Sequence, residues 1–200
     1  MLESPIKSRP VYKGLVFDEK ARRHLVAAEG EGALAALDAF VEAGDAMAAT
    51  TVVYTPGGSA GEDHAAKLAA LKPDALHVMP TVETALIRLN GLLATAQMGT
   101  RLYAAGVEGF VGQVVAAGIE HGVEPYSIRT EHRGSLARRV QCVHCKGFME
   151  NVTVSPIDCA HCGVPLLVRD HYSRRLGAFQ GVSIDAEAPG DVPPAEELYA

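Results

Sequence analysis

Thr100-Arg-Leu-Tyr-Ala-Ala105 is a short run of strand-favouring residues; Gly106-Val-Glu-Gly109 follows it, and residues 110–121 then keep helical spacing until Gly122 stops them. Strand, glycine turn, helix and stop form the unit from which parallel sheets are built. The unit recurs on both sides. Tyr126-Ser-Ile-Arg-Thr130 reads as the strand after it. Upstream, Ala75-Leu-His-Val-Met79 lies between Pro73 and Pro80 as a strand, and Thr81-Val-Glu-Thr84 opens a helix to about residue 96 with Leu86, Leu89 and Leu93 on one side. Thr50-Thr-Val-Val-Tyr54 is a β-branched strand that leaves through Thr55-Pro-Gly-Gly58, with a helix over residues 63–71 after it. At the start, Tyr12-Lys-Gly-Leu-Val-Phe17 reads as the first strand and Asp18 as a cap. Residues 21–28 and 32–43 read as Ala/Leu-rich helices, the second stopped by Gly44. Strands alternating with helices predict an α/β domain over residues 10–134 with a doubly wound, mostly parallel sheet.

The second part of the chain is organised by Cys142-Val-His-Cys145 and Cys159-Ala-His-Cys162, which hold all 4 cysteines of the protein. Two cysteines three apart place two sulfurs on one tight turn, and two such turns face to face close a tetrahedral cage for Zn2+. Gly163 directly after the second pair and Gly147 close after the first suit such turns. Asn151-Val-Thr-Val-Ser155, ended by Pro156, suggests a short hairpin between the pairs, and the whole reads as a zinc ribbon. A closed Zn site with a structural task competes with a rubredoxin-like Fe(Cys)4 centre, because spacing does not separate the two metals. A Rieske-type cluster would need His where Cys162 stands. Disulfides fit poorly with metal spacing and with a chain that shows no secretory context. His144 and His161 are then neighbours of the site and not ligands.

Composition sets the class. Two hundred residues at 48% hydrophobic, without Trp, describe a globular chain able to build a core. No run of about 18 uncharged apolar residues occurs and the N-terminus has no apolar signal region, so a cytoplasmic protein without membrane contact is expected. The net charge of -6 argues against nucleic-acid binding. Its distribution is uneven: residues 129–175 carry eight Lys/Arg against four Asp/Glu, so the ribbon is a basic island in an acidic chain. The ribbon and its Arg-rich continuation span residues 138–182. Residues 183–200 shift to Glu, Ala and Pro and are expected to be an extended, flexible tail, with Tyr199 as a small anchor at most.

Outside the cysteines the candidate sites are fewer. Gly106 and Gly109 fit a helix N-terminus offered to a dinucleotide such as NADPH, and equally a βα turn that packing alone requires. On this reading no glycine-rich phosphate turn follows the first strand, since Asp18-Glu19-Lys20 leaves it. Arg169, Asp170, His171, Tyr172, Ser173, Arg174 and Arg175 form a dense cluster. Guanidinium groups make paired contacts to carboxylates, so the cluster suits docking on the acidic face of a partner better than bulk water does. His24, His64, His77, His121 and His132 lack ligand spacing, and Ser59 in Gly58-Ser-Ala-Gly61 fails the nucleophile-elbow pattern by one residue.

The stretch Arg138-Arg-Val-Gln-Cys-Val-His-Cys145, the second cysteine pair with Gly163, and Leu167-Val-Arg-Asp-His-Tyr-Ser-Arg-Arg-Leu-Gly-Ala-Phe-Gln-Gly181 together resemble the C-terminal domain of a dimethylamine monooxygenase subunit family. The resemblance implies a small subunit of a multi-component, NADPH- and O2-dependent oxygenase that converts dimethylamine to methylamine and formaldehyde. It further implies that haem, FMN and iron-sulfur groups, and with them the catalytic centre, sit on partner subunits of a hetero-oligomer. Leu102-Tyr-Ala-Ala-Gly-Val-Glu-Gly-Phe110 resembles the NAD-binding module of ferredoxin-reductase-type oxygenase reductases, written Cys-Gly-Pro-x-x-Phe/Met, with Ala105 in place of the cysteine and Val107 in place of the proline. The expected role is an accessory docking subunit. Three alternatives remain: an α/β domain that binds NADPH, a rubredoxin-like electron carrier, and a free-standing ribbon adaptor.

Overall fold

The computed structural model describes residues 8–57 and 63–200, in two compact units: residues 12–134, and residues 8–11 together with 135–200. In the first unit β1 (Arg23–Glu29), α1 (Gly32–Phe40), β2 (Thr50–Thr55), α2 (Ala65–Ala70), β3 (Ala75–Val78), α3 (Val82–Leu93), β4 (Thr100–Gly106), α4 (Glu108–Glu120) and β5 (Ile128–His132) follow one another. All five strands are parallel, in the order β3-β2-β1-β4-β5. Alternate residues serve opposite faces. Val26, Val52, Tyr54 and Tyr103 pack with Phe40 of α1 and Leu68 of α2, while Leu25, Ala27, Leu102 and Ala104 pack with Leu89 of α3 and Phe110 and Val114 of α4. This is the doubly wound α/β class, and the order reverses between β1 and β4, where such sheets open a crevice at the carboxyl ends of their strands. Thr81 and Thr84 close a reciprocal capping box at the start of α3. Among the described residues no helix is long and apolar enough to cross a membrane.

The first strand lies elsewhere than the sequence pattern suggests. Residues 12–18 contain neither strand nor helix, and Arg23-His-Leu-Val-Ala-Ala-Glu29, inside the segment expected to be helical, is the central strand. A central parallel strand is covered on both faces, so it shows no alternation, and alanine is favoured where helices approach closely. The same Ala/Leu content reads as helix propensity when context is missing. A second consequence follows: β1 does lead into a glycine turn, Gly30-Glu31-Gly32, contrary to the expectation built on Asp18. Gly58 of the turn after β2, and Ser59 with its glycine neighbours, lie outside the described residues.

Phe17 and Asp18 close the amino end of the sheet. The Phe17 ring stacks on His24 with centroids 4.7 Å apart, and Phe40 meets both rings edge-on. The Asp18 N–H donates to the Tyr103 hydroxyl (3.2 Å), which lies 3.1 Å from His24 Nδ1, while Arg101 reaches Asp18 (2.6 Å) and Ser127 (2.8 Å). Burial holds His24 below the ordinary imidazole range; the nearby Asp18 carboxylate raises it and Arg101 lowers it further. His24 is therefore neutral in the fold, whereas the unfolded chain takes up a proton near pH 6.5. Stability from this group is complete above that pH and is lost as pH falls toward the depressed folded value, by at most about 1.4 kcal/mol per pH unit. Denaturant unfolding of wild type and His24→Gln between pH 7.5 and 5 measures it: the variant should show the flatter profile.

The second unit consists of β6 (Arg138–Cys142), β7 (Phe148–Val152), β8 (Val154–Ser155), β9 (Ile157–Asp158), β10 (Pro165–Ser173), β11 (Ala178–Ser183) and β12 (Glu196–Glu197). Five form one sheet, β7-β6-β11-β10-β9, and β8 pairs with β12. Val140, Met149, Leu166 and Phe179 make its core together with Cys142 and Cys159. The hairpin expected between the cysteine pairs is absent from its place. Instead each pair forms the turn of its own hairpin, β6 to β7 and β9 to β10. The Arg-rich stretch is likewise no appended arm, since β10 and β11 supply two inner strands of the sheet. Nor are residues 196–199 loose: β12 pairs with β8, and Tyr199 is 8% exposed. One aromatic residue with a matching shelf outweighs a disorder-prone composition.

Candidate functional sites

The four sulfurs of Cys142, Cys145, Cys159 and Cys162 all lie within 4.8 Å of one another. Cys142 Sγ is 3.8 Å from Cys162 Sγ, and Cys145 Sγ is 3.7 Å from Cys159 Sγ. A tetrahedron with metal–sulfur bonds of about 2.3 Å has edges of about 3.8 Å, so the donor set fits a four-coordinate thiolate-binding metal. Two matching turns supply it. Cys142 N–H donates to Gly147 O and Lys146 N–H to Cys142 O (2.9 Å each); Cys159 N–H donates to Val164 O (2.9 Å) and Gly163 N–H to Cys159 O (2.8 Å). The residue after each second cysteine has a left-handed backbone, Lys146 at φ 65° and Gly163 at φ 72°. Burial raises the Cys159 thiol, but the N–H groups of His161 and Cys162 and the neighbouring sulfurs outweigh it and bring it down to about 7. At Cys162 the Val164 N–H lowers the thiol, and burial with the three other sulfurs pushes it up to about 12. The sulfurs compete for charge in the absence of a cation, which is the condition that a bound metal relieves.

Gly147 does not supply the turn expected of it. Lys146 takes the left-handed conformation, and Gly147 makes room for a ring: a Cβ there would lie 2.4 Å from His161 Cδ2. His161 Nε2 meets Phe148 O at 2.7 Å, which ties the second cysteine turn to β7. In Gly147→Ala the exposed ring must swing out and lose that bond, at about 1 kcal/mol. Calorimetry should show a lower unfolding temperature with the metal content unchanged.

The proposed docking cluster is divided by the fold. Arg174 and Arg175 are exposed on the turn joining β10 to β11, while Arg169 and His171 are half-buried on β10. Asp170 is engaged within the unit, 2.8 Å from Arg9 and 2.7 Å from Arg138. Burial alone would raise its carboxyl, but the two guanidinium groups hold it below the usual range. The Arg138 guanidinium is buried between two rings, 4.0 Å from the Phe179 centroid and 3.9 Å from that of Tyr199.

At the carboxyl ends of β1 and β4 the two glycine turns meet. Gly32 packs so closely that a Cβ would sit 2.1 Å from Ala105 O, and at Gly106 one would sit 2.9 Å from Glu29 Cβ. Packing thus suffices to require both glycines, and Gly109 is buried in the first turn of α4. Neither α1 nor α4 has a side-chain cap, and at α1 the Ala33 and Leu34 N–H groups donate instead to Gly30 O (3.1 Å) and Glu31 O (3.0 Å). Such ends favour anions, but acidic residues stand at these two: Glu31 is the N-cap residue of α1, Glu108 lies in the first turn of α4, Glu29 lies beside Gly106, and Glu131 of β5 pairs with Ala105. Glu108 accepts from Tyr12 Oη (3.0 Å), and Glu131 accepts from Leu15 N (2.7 Å) and Arg133 Nε (2.6 Å). Sequence reasoning missed Gly30 and Gly32 because it placed the first strand one segment early; a glycine pair one residue after the apolar run Leu25-Val-Ala-Ala28 was the available signal.

Family models described as dimethylamine monooxygenase subunit DmmA-like, N-terminal domain, and dimethylamine monooxygenase subunit DmmA-like, C-terminal domain, match residues 4–128 and 139–182. The chain belongs to this family. A relative of the DmmA-like chain, the heme-dependent oxidative N-demethylase delta subunit of Ectopseudomonas mendocina (strain ymp), is 36% identical over 115 residues, 58% of this chain and 66% of that subunit. Solved structures similar to the DmmA-like chain include the flavohem-like FAD/NAD binding domain of nitric oxide dioxygenase from Vibrio cholerae O1 biovar El Tor (17% identity, TM-score 0.43, 62% of this chain and 56% of that chain). Phthalate dioxygenase reductase is another (12% identity, TM-score 0.44, 68% of this chain and 46% of that chain).

Proposed function

We propose that this chain is an accessory, docking subunit of a haem-dependent N-demethylase that oxidises dimethylamine with NADPH and O2, the haem, FMN and iron-sulfur groups being held by its partner subunits in the cytoplasm. The observation that carries this reading is the acid-lined crevice. A dinucleotide's phosphates placed at the α1 and α4 N-termini would face Glu29, Glu31 and Glu108, which leaves a reductase-like scaffold without an evident seat for its ligand. What remains is a ribbon whose four thiolates hold Zn2+ with no position open to substrate, and an exposed Arg174-Arg175 turn suited to an acidic partner face. The test is reconstitution. Zinc at about one per chain, a colourless protein, no response to NADPH by calorimetry, and weaker, less salt-dependent assembly with the haem and flavin subunits after Arg174→Glu with Arg175→Glu are expected. Unchanged assembly of that double variant overturns the docking reading.

Two features favour other roles for the same sites. The β3-β2-β1-β4-β5 order with Gly30-Glu31-Gly32 at the switch point favours NADPH binding by the α/β unit, with hydride passed to a partner flavin; micromolar binding by the isolated chain would establish it. Exposed Cys145 gives the four-cysteine centre an edge at the surface, as an Fe(Cys)4 electron carrier would need. A red, iron-containing protein would be the sign of that role.

A further inference from the structure

The last residues of the chain occupy a built seat. Glu196 and Glu197 pair antiparallel with Ser155 and Val154, and the N–H groups of Leu198 and Tyr199 both donate to Thr153 O at 2.9 Å. Tyr199 then inserts: its ring covers the Arg138 guanidinium at 3.9 Å, opposite Phe179, and its hydroxyl donates to Val168 O at 3.4 Å. A strand edge for the backbone and a shelf for one aromatic side chain are the two elements by which extended peptides are recognised. Residues 186–195, which lead to this seat, are exposed throughout.

We infer that the β8 edge and the Arg138–Phe179 shelf form a peptide-docking site, filled in the free chain by its own residues 196–199 and open in trans to the same segment of a second copy. The occupant is fixed by complementarity already present: the segment that fits the seat is carried by every copy. Its linker makes exchange feasible, because the exposed residues 186–195 can extend roughly 33 Å. Two copies that trade tails recover every contact of residues 196–199 and give up only the turn in which Ala188 and Gly190 N–H groups donate to Asp185, so the exchange is reciprocal. In the free chain the tethered tail competes at an effective concentration of about millimolar, which keeps the seat occupied in dilute solution.

The probe is a fluorescein-labelled synthetic peptide with the sequence of residues 193–200, titrated by anisotropy into the full-length chain. Tyr199→Ala, whose own tail no longer anchors, should bind it at least about tenfold more tightly than wild type does, because the tethered competitor is weakened. A peptide carrying alanine at the tyrosine position should bind neither chain. Equal binding by wild type and Tyr199→Ala, or none by a Tyr199→Ala chain with native near-ultraviolet dichroism, overturns the inference. A second arm leaves all side chains in place. With a protease site set at residues 186–190 and cut after folding, the labelled peptide should replace the released tail fragment, and a cut chain that does not take up the peptide also overturns it.

Discussion

A chain carrying Cys142→Ala is expected to lose the fold of residues 135–200 and any metal that the four sulfurs could hold, while the five-stranded parallel sheet keeps its structure. Cys142 is wholly buried and belongs to the core of its unit with Val140 and Met149, so its loss removes a ligand from a place that solvent does not reach. A unit of this size buries little apolar surface, and a structural four-thiolate site contributes about 10 to 16 kcal/mol on its own. That exceeds what a small domain has in reserve, so a unit that can no longer hold the metal should be unfolded at room temperature. The effect is graded around the cage. Cys145 is exposed, and in Cys145→Ser a hydroxyl or solvent oxygen can complete the coordination, so partial metal retention and a folded but weakened unit are expected there. Mass-spectrometric metal content and the dispersion of amide resonances measure both variants. A folded Cys142→Ala unit with no metal would show that the ribbon stands on its apolar core alone.

The cysteine cage was legible because its information is local: two pairs at fixed spacing specify four donors whatever the strands around them do. The ribbon's strand order was not, since the pairing of β6 with β11 joins residues about forty apart and leaves no mark in either segment. For the α/β unit, the alternation from residue 50 onward marked each strand and α-helix, because each strand there is bounded by proline, glycine or a capping threonine, although the last strand was read two residues early, where Pro125–Ser127 form a 3-10 turn before Ile128–His132. Only β1 was misplaced. Ala27 and Ala28 lie between helices on both faces, and the physics that makes alanine fit that slot is invisible in a sequence window. The buried pair of Arg138 with Asp170 escaped for a related reason. Asp170 reads as one member of a charged cluster until β10 is set beside the segment that brings Arg9 and Arg138 to it.

Gly32→Ala is expected to lower the unfolding temperature of residues 12–134 by about 10 °C or more, corresponding to about 3 kcal/mol. The added Cβ would meet Ala105 O at 2.1 Å, Ala105 C at 2.3 Å and Gly106 N at 2.6 Å. These are backbone atoms of β4, a strand bonded on one side to β1 and on the other to β5, so they cannot withdraw without breaking a ladder. Gly30 offers the contrast. It has a left-handed backbone at φ 50°, but its nearest obstacle is Pro56 O at 3.5 Å, so alanine there costs only the conformational penalty of about 1 to 2 kcal/mol. The two variants separate packing from ligand binding at the same turn. Loss of an NADPH response in Gly32→Ala would follow from the damaged sheet whether or not a nucleotide binds there. Gly30→Ala leaves the sheet intact and blocks only what approaches the turn from the crevice. A wild type that binds NADPH and a Gly30→Ala chain that does not, each melting within a few degrees of the other, would assign this turn to the nucleotide; calorimetric silence in both would assign Gly32 to the contact between α1 and β4 and Gly30 to its left-handed turn.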